Sequence, residues 1–255
     1  MPTPPIEVYV AAFVARCDAL GRPADRVVDE PGLQGLVPSS ASSSIRLLVT
    51  DDHAYDALAA LLPGARAGTI SVLGTAPRCT ELLLRRDCWQ PKPVTTMVHR
   101  DLRNVPDEPL PSGLTVRPVR RLVDDPSDDV PLSDAVAAVL LANPSSDDDP
   151  DALADHLRSL PPTTCLFAAV DDAGAVRATS GCGTFGTYAA VFFVNTHPSW
   201  RRRGIGRAMT ATALRSARHA GASQAGLDAA DAAIAIYRGL GFEIAARATQ
   251  FFRAG

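Results

Sequence analysis

Apolar residues change their spacing several times along this chain, and each change predicts an element. After residue 113, apolar runs of strand length cover Leu114–Pro118, Thr164–Val170, Val176–Cys182 and Ala189–Thr196. Asp171-Asp172-Ala173-Gly174 reads as a hairpin turn, and Gly181, Gly183 and Gly186 predict irregular backbone ahead of the Ala189–Thr196 strand. Spacing by three and four predicts helices over Leu132–Ala142, Asp151–Leu160 and from Gly204 to Gly221. The last of these puts Ile205, Ala208, Met209, Thr212 and Ala213 on one face and Arg207, Arg215 and Arg218 on another. A strand over Gln224–Leu227, a helix about Tyr237 and a strand over Glu243–Phe252 complete a mixed α/β unit.

Before residue 105 the same reasoning predicts helices over Ile6–Leu20, Tyr55–Leu62 and Glu81–Arg86, with strands over Ile45–Thr50 and Thr69–Leu73. Val105-Pro-Asp-Glu-Pro-Leu-Pro-Ser-Gly113, rich in proline and polar residues, predicts a linker between the two parts. A weak repeat spans it. Leu84-Arg-Arg-Asp-Cys-Trp followed by Val94-Thr-Thr-Met-Val-His parallels Tyr237-Arg-Gly-Leu-Gly-Phe followed by Ala248-Thr-Gln-Phe-Phe-Arg.

The run Arg201-Arg202-Arg203-Gly204-Ile205-Gly206-Arg207-Ala208 carries the strongest chemical signal, because it joins a strand to a helix N-terminus through glycines. Free amides and the positive end of the helix dipole converge there, which suits a phosphate. A dinucleotide-fold fingerprint would need a small residue at Met209, and a P-loop would need Lys-Ser or Lys-Thr after the glycines; neither is present.

Arg-x-x-Gly-x-Gly, preceded by His197-Pro198 and Trp200, resembles the acetyl-CoA pyrophosphate loop of the GCN5-related N-acetyltransferase (GNAT) superfamily. In a second segment, Ala233, Tyr237, Gly241 and Phe242 stand where that superfamily usually has Ala, Tyr, Gly and Phe. The resemblance covers about Leu114–Gly255 and implies the GNAT fold, whose sheet splays between its fourth and fifth strands to admit the pantetheine arm. It implies acetyl-CoA as cosubstrate, held at Arg201, Arg202, Arg203, Gly204, Ile205, Gly206 and Arg207, with backbone groups of Val194 and Thr196 meeting the pantetheine. Tyr237 takes the place of the general acid for the departing thiolate, while the Asn often found seven residues earlier is Ala230 here. In the repeat, Leu84 stands in the place of Tyr237 and no glycine loop precedes it. The expected organisation is a degenerate acetyltransferase-like domain over 1–105 and a catalytic GNAT domain over 114–255.

An ammonium must lose a proton before it can attack. Many relatives carry a Glu on the fourth strand, but Ala189–Thr196 contains no carboxylate. Asp228, at the end of the fifth strand, is the first candidate base, followed by His197 and His156; capping of the Tyr237 helix is its competing role, shared with Asp231. Asp124, Asp125, Asp128, Asp129, Asp147, Asp148, Asp149, Asp151 and Asp155 surround the helices that in this family help build the acceptor pocket. They would attract a cationic amine or cap the second helix. The resulting expectation is transfer of an acetyl group from acetyl-CoA to a primary amine, small-molecule or peptide, by direct attack in a ternary complex. The alternative is a non-catalytic acyl-CoA-binding or regulatory module, motivated by the missing strand carboxylate and the degenerate first half.

Composition narrows the classes. Net charge is −3, which argues against nucleic acid as a partner. No apolar run approaches the ~20 residues of a membrane helix, and the start Met1-Pro-Thr-Pro-Pro lacks signal-peptide features, so the expected location is cytoplasmic. The five cysteines show no ligand spacing, so neither a metal site nor a disulfide framework is expected, and reduced core thiols are. A homodimer is among the assemblies compatible with the sequence.

Overall fold

The computed structural model describes residues 4–20, 25–39, 45–65, 67–120, 129–142 and 150–253. In chain order the elements are α1 (Pro5–Leu20), β1 (Arg26–Glu30), β2 (Leu33–Val37), β3 (Ile45–Val49), α2 (Tyr55–Leu61), β4 (Gly68–Leu73), α3 (Pro77–Leu84) and β5 (Gln90–His99). They continue with β6 (Leu114–Arg120), β7 (Val130–Pro131), α4 (Leu132–Ala142), α5 (Pro150–Ser159), β8 (Thr164–Asp171), β9 (Val176–Phe185) and β10 (Tyr188–Thr196). The last are α6 (Ile205–His219), β11 (Gln224–Ala229), α7 (Ile234–Gly239) and β12 (Glu243–Arg253). One compact unit holds Met1–Val98, Asp228–Ile234 and Glu243–Gly255, and the other holds His99–Leu227 and Ala235–Phe242. The irregular segment 105–113 lies within the second unit.

In the first unit the strand order is β1-β2-β3-β4-β12-β5. Its core gathers Leu33, Leu47, Val49, Leu58, Leu62, Ile70, Leu83, Trp89 and Phe251. The β1–β2 hairpin was not expected from the sequence: only Val28 of β1 is buried, so the strand lacks the apolar alternation that marks one. Strands β3 and β4 run parallel, paired without interruption from Ile45–Gly68 to Val49–Val72. β12 lies antiparallel to both β4 and β5, and its register sets Ala248 opposite Val94. Those are equivalent positions of the internal repeat.

The second unit orders its strands β11-β10-β9-β8-β6-β7, with β10–β11 and β6–β7 parallel and the other pairs antiparallel. On one face α4 and α5 cover Leu166, Ala168 and Val170 with Leu132, Ala135, Val136 and Leu157. On the other, Ile205 and Met209 of α6 pack on Leu114, Ala169 and Ala178. The buried side of α6 also carries Ala208, Ala211, Ala213 and Ala217, small residues that let the helix lie close to the sheet.

Gly181 and Gly183 do not mark irregular backbone, as the sequence suggested; both lie inside the regular run of β9. A Cβ at Gly181 would fall 2.7 Å from Leu166 Cδ2 and from Phe192 Cε2, so the glycine makes room for side chains on neighbouring strands. The irregularity sits one strand away, in β10 between Phe192 and Asn195, where no glycine announces it.

Candidate functional site

A slot opens beside β10. Its parallel pairing with β11 covers only Tyr188–Gln224, Ala189–Ala225 and Ala190–Gly226, although β10 continues to Thr196. On its other side the register with β9 jumps from Phe192–Gly181 to Asn195–Thr179, leaving Phe193 and Val194 without opposed residues. Phe193 takes a left-handed φ of 50° and Thr179 Oγ1 donates to its carbonyl at 2.9 Å, which fixes the bulge. Val194 thus stands at the point where β10 has left its ladder. In the first unit the corresponding parallel pair, β3–β4, is fully zipped and offers no such slot.

The 201–207 loop follows a 3-10 turn over Pro198–Trp200. Arg202 (φ 63°) and Gly204 (φ 81°) take left-handed backbone, and Gly204 is the N-cap of α6. Ala208 N–H donates to the Gly204 carbonyl at 3.0 Å, closing the first helical turn, and the amides ahead of it point out of the helix end. A Cβ at Gly204 would meet nothing within 4 Å, and one at Gly206 only Thr196 Oγ1 at 3.6 Å. The glycines therefore leave an open cradle of the kind a pyrophosphate occupies. At the equivalent place in the first unit, before α2, stand Asp51 and Asp52, whose carboxylates accept from His53 N–H and from the Arg78 and Cys79 amides. Carboxylates at that position repel a phosphate.

The arginine side chains divide their work. Arg201 ties the loop down, donating from Nε to the Thr196 carbonyl (3.2 Å) and from Nη2 to the Ala142 carbonyl at the end of α4 (2.9 Å). Arg203 lies over the Trp200 ring at 4.8 Å, and Arg177 approaches the same ring at 5.5 Å. Asp171 accepts from Arg177 at 2.6 Å and from the Ala173 and Ala175 amides, and these bonds, Ala175 first, hold its carboxyl below the usual range. The β8–β9 hairpin thereby buttresses the loop, a chain of contacts that spacing along the sequence does not reveal. Arg207 bonds Glu108 at 2.6 Å and the Gly239 carbonyl at 3.0 Å, joining the first turn of α6 to the last residue of α7. Among the described residues, Arg202 makes no hydrogen bond or ion pair, and it is exposed.

Tyr237 on α7 is buried, with its ring edge-on to Phe242 at 5.8 Å. Burial pushes its phenol up to about 12. The Phe242 amide donates to the Tyr237 carbonyl at 3.1 Å across Gly241, whose φ of 95° turns the chain back. A Cβ at Gly241 would lie 2.8 Å from His99 Nε2, so both the turn and the packing exclude a larger residue. The motif residues Gly241 and Phe242 are thus the closure of the helix that carries Tyr237.

Asp228 is an exposed residue of the first unit. Both its carboxylate oxygens accept from the Tyr9 hydroxyl (2.9 and 3.1 Å), and Oδ2 also accepts from Gln250 Nε2 at 2.6 Å. It does not cap α7. The short turn leading into α7 has Ala230 at its N-cap with no side-chain bond, and Asp231 instead pairs with Arg247 at 2.7 Å. Tyr9 lies 219 residues away in sequence, and no local signal links it to Asp228. His197 Nδ1 bonds Ser199 Oγ at 2.8 Å within the 3-10 turn. The side chain of His156 lies outside the described residues, as do Asp124, Asp125, Asp128, Asp147, Asp148 and Asp149. Among the described residues no cluster of acidic, His or Cys side chains suits a metal ion, and no helix is long and apolar enough to cross a membrane.

Residues 134–242 match the acetyltransferase (GNAT) family, and the chain carries a GNAT domain over that stretch. Solved structures extend the likeness to the whole chain. A GCN5-related N-acetyltransferase from Kribbella flavida is 23% identical with a TM-score of 0.61, the alignment covering 96% of each chain. One from Sphaerobacter thermophilus is 16% identical with a TM-score of 0.56, covering 96% of this chain and 92% of the other. A tandem GNAT protein from the clavulanic acid biosynthesis pathway is 18% identical with a TM-score of 0.54, covering 98% and 95%. At these identities the likeness establishes the fold. No curated protein matches the sequence.

Proposed function

We propose that this chain is an acetyl-CoA-dependent N-acetyltransferase acting on a primary amine. One observation carries the reading: a single unit combines a strand that leaves its ladder at Val194, a glycine cradle at a helix N-terminus and a buried neutral tyrosine. The amides at Gly204, Ile205, Gly206 and Arg207 would hold the pyrophosphate, with Arg202 the exposed cation beside them. The backbone at Val194 would align the pantetheine and polarise the thioester carbonyl. Acetyl-CoA supplies the activated acyl group. Holding it beside the amine makes the reaction effectively intramolecular. Tyr237 donates a proton toward the leaving sulfur, and Asp228 is the carboxylate proposed to take the proton of the ammonium. Arg201 shapes the loop through Thr196 and Ala142, so its part in binding is indirect.

A non-catalytic acyl-CoA-binding module is favoured by one observation, the tethering of Asp228 by Tyr9 and Gln250. Calorimetry with acetyl-CoA, followed by a panel of amines monitored for free CoA, separates the two. Binding with thiol release supports transfer; binding without release from any amine supports the module; absence of binding rejects both.

A further inference from the structure

Two cysteines that the acyl-transfer reading leaves unused face one another in the second unit. Cys165 of β8 and Cys182 of β9 are directly opposed in the antiparallel register, on the same face of the sheet. The expectation of core thiols holds for Cys182, which is 1% exposed, but not for Cys165, which is exposed. Opposed residues of an antiparallel pair have Cα atoms about 4.5 or 5.5 Å apart. Both spacings lie within the range of about 4.4–6.8 Å that a disulfide spans. The two thiols are in hydrogen-bond contact, and that contact, ahead of burial, pushes the Cys182 thiol well above the ordinary thiol range. Cys182 therefore keeps its proton, and Cys165 is the exposed member of the pair that a solution oxidant reaches first.

We propose that Cys165 is a peroxide-reactive site whose oxidation is captured by Cys182 as a reversible cross-strand disulfide. The Cys165 thiolate attacks one oxygen of a hydroperoxide, breaking the O–O bond; the sulfur becomes a sulfenic acid and the other oxygen leaves as hydroxide, which takes up a proton. Cys182 sulfur then attacks the sulfenic sulfur, the S–O bond breaks, and the departing hydroxide takes the Cys182 proton to form water. Each sulfur gives up one electron, and the peroxide is reduced by two. Without its neighbour, Cys165 would be open to further oxidation beyond recovery by thiols. The link would also pin the strand that carries Thr179, whose hydroxyl holds the Phe193 bulge.

The test treats the full-length protein with hydrogen peroxide, then denatures, alkylates and maps it by peptide mass spectrometry. The expected result is loss of two of the chain's five alkylatable thiols, appearance of a linked Cys165–Cys182 peptide pair, and recovery of both thiols with dithiothreitol. Cys165→Ser, a change at an exposed position, should abolish the link, and Cys182→Ala should leave Cys165 as a sulfenic acid that dimedone traps. Cys165 advancing to sulfinic acid in the unmodified chain while Cys182 remains alkylatable would overturn the proposal. So would an unreacted Cys165 at peroxide concentrations that oxidise the exposed Cys88.

Discussion

Replacing Tyr237 by Phe removes one oxygen and keeps the ring that meets Phe242 edge-on, so the fold should tolerate it. Its phenol sits at about 12 because it is buried, whereas a thiol titrates near ~8.5. Full proton transfer from this phenol to a CoA thiolate is therefore uphill by roughly 3.5 units, or about 5 kcal/mol. Tyr237 should accordingly act as a hydrogen-bond donor to charge developing on sulfur, with the finished proton supplied through solvent. That places the expected loss at the low end for a positioned acid, about 10²-fold in turnover, or roughly 2.7 kcal/mol. Acetyl-CoA affinity should stay within about twofold, because the phenol contributes little before charge develops. The assay is single-turnover release of CoA with saturating amine, alongside calorimetric binding of acetyl-CoA. Turnover within about twofold of the unmodified chain would refute the acid role. A parallel fall in affinity and turnover would show that the hydroxyl serves ground-state binding instead.

The same residue predicts an alkaline limit to stability. Its folded pKa is raised from 10 to about 12, so above pH ~10 the unfolded chain sheds a proton that the folded chain retains, and stability present below pH ~10 is lost between ~10 and ~12. The loss should approach roughly 2–3 kcal/mol in denaturant titrations, and Tyr237→Phe should flatten it. Gly206→Ala should fold normally, since its Cβ meets only Thr196 Oγ1 at 3.6 Å, yet bind acetyl-CoA at least about tenfold more weakly; unchanged affinity would make the loop a simple turn. Arg207→Met should lower kcat more than acetyl-CoA affinity, because the side chain holds the Gly239 end of the Tyr237 helix. An affinity loss equal to the kcat loss would assign Arg207 to the cofactor.

Elements with a strong period are legible in the sequence: the expected and observed bounds agree to the residue for α4, within one residue for β10 and within two for α6. Their apolar spacing is sustained over enough residues to be unambiguous. The loop and the Tyr237 helix were legible for a different reason, since glycines with positive φ and a close approach at Gly241 restrict the residue type itself. The bulge was not, because Phe-Phe-Val-Asn is ordinary strand sequence. What bends it is a register fixed from β9, through Thr179. Nor could the partners of Asp228 or of Arg207 be read, since each comes from a segment far along the chain and bonds through a group with no local periodicity. Backbone shape that requires glycine leaves a residue signature; a shape imposed by a neighbouring strand, or a site made by converging side chains, does not.

Asp228 illustrates that difference and can be tested through the pH dependence of the reaction. An alkyl ammonium with a pKa near ~10.4 costs about 4.6 kcal/mol to deprotonate at pH 7, so a reaction fed only by free amine should rise tenfold per pH unit up to that pKa. A carboxylate that takes the proton within the complex removes that dependence over the range in which it is ionised. Tyr9, whose single proton is shared between both oxygens, and Gln250 hold the Asp228 carboxylate, which orients it but also occupies the oxygens it would use as a base. If Asp228 is the base, kcat/KM of the unmodified chain should level off well below the amine pKa. Asp228→Asn should then rise with unit slope and meet the unmodified chain only at high pH. Tyr9→Phe should shift the acidic limb upward, since a donor that favours the charged carboxylate is gone. Superimposable profiles for the unmodified chain and Asp228→Asn would leave Asp228 as an acceptor that ties Tyr9 to Gln250 within the first unit, and would assign deprotonation of the amine to solvent.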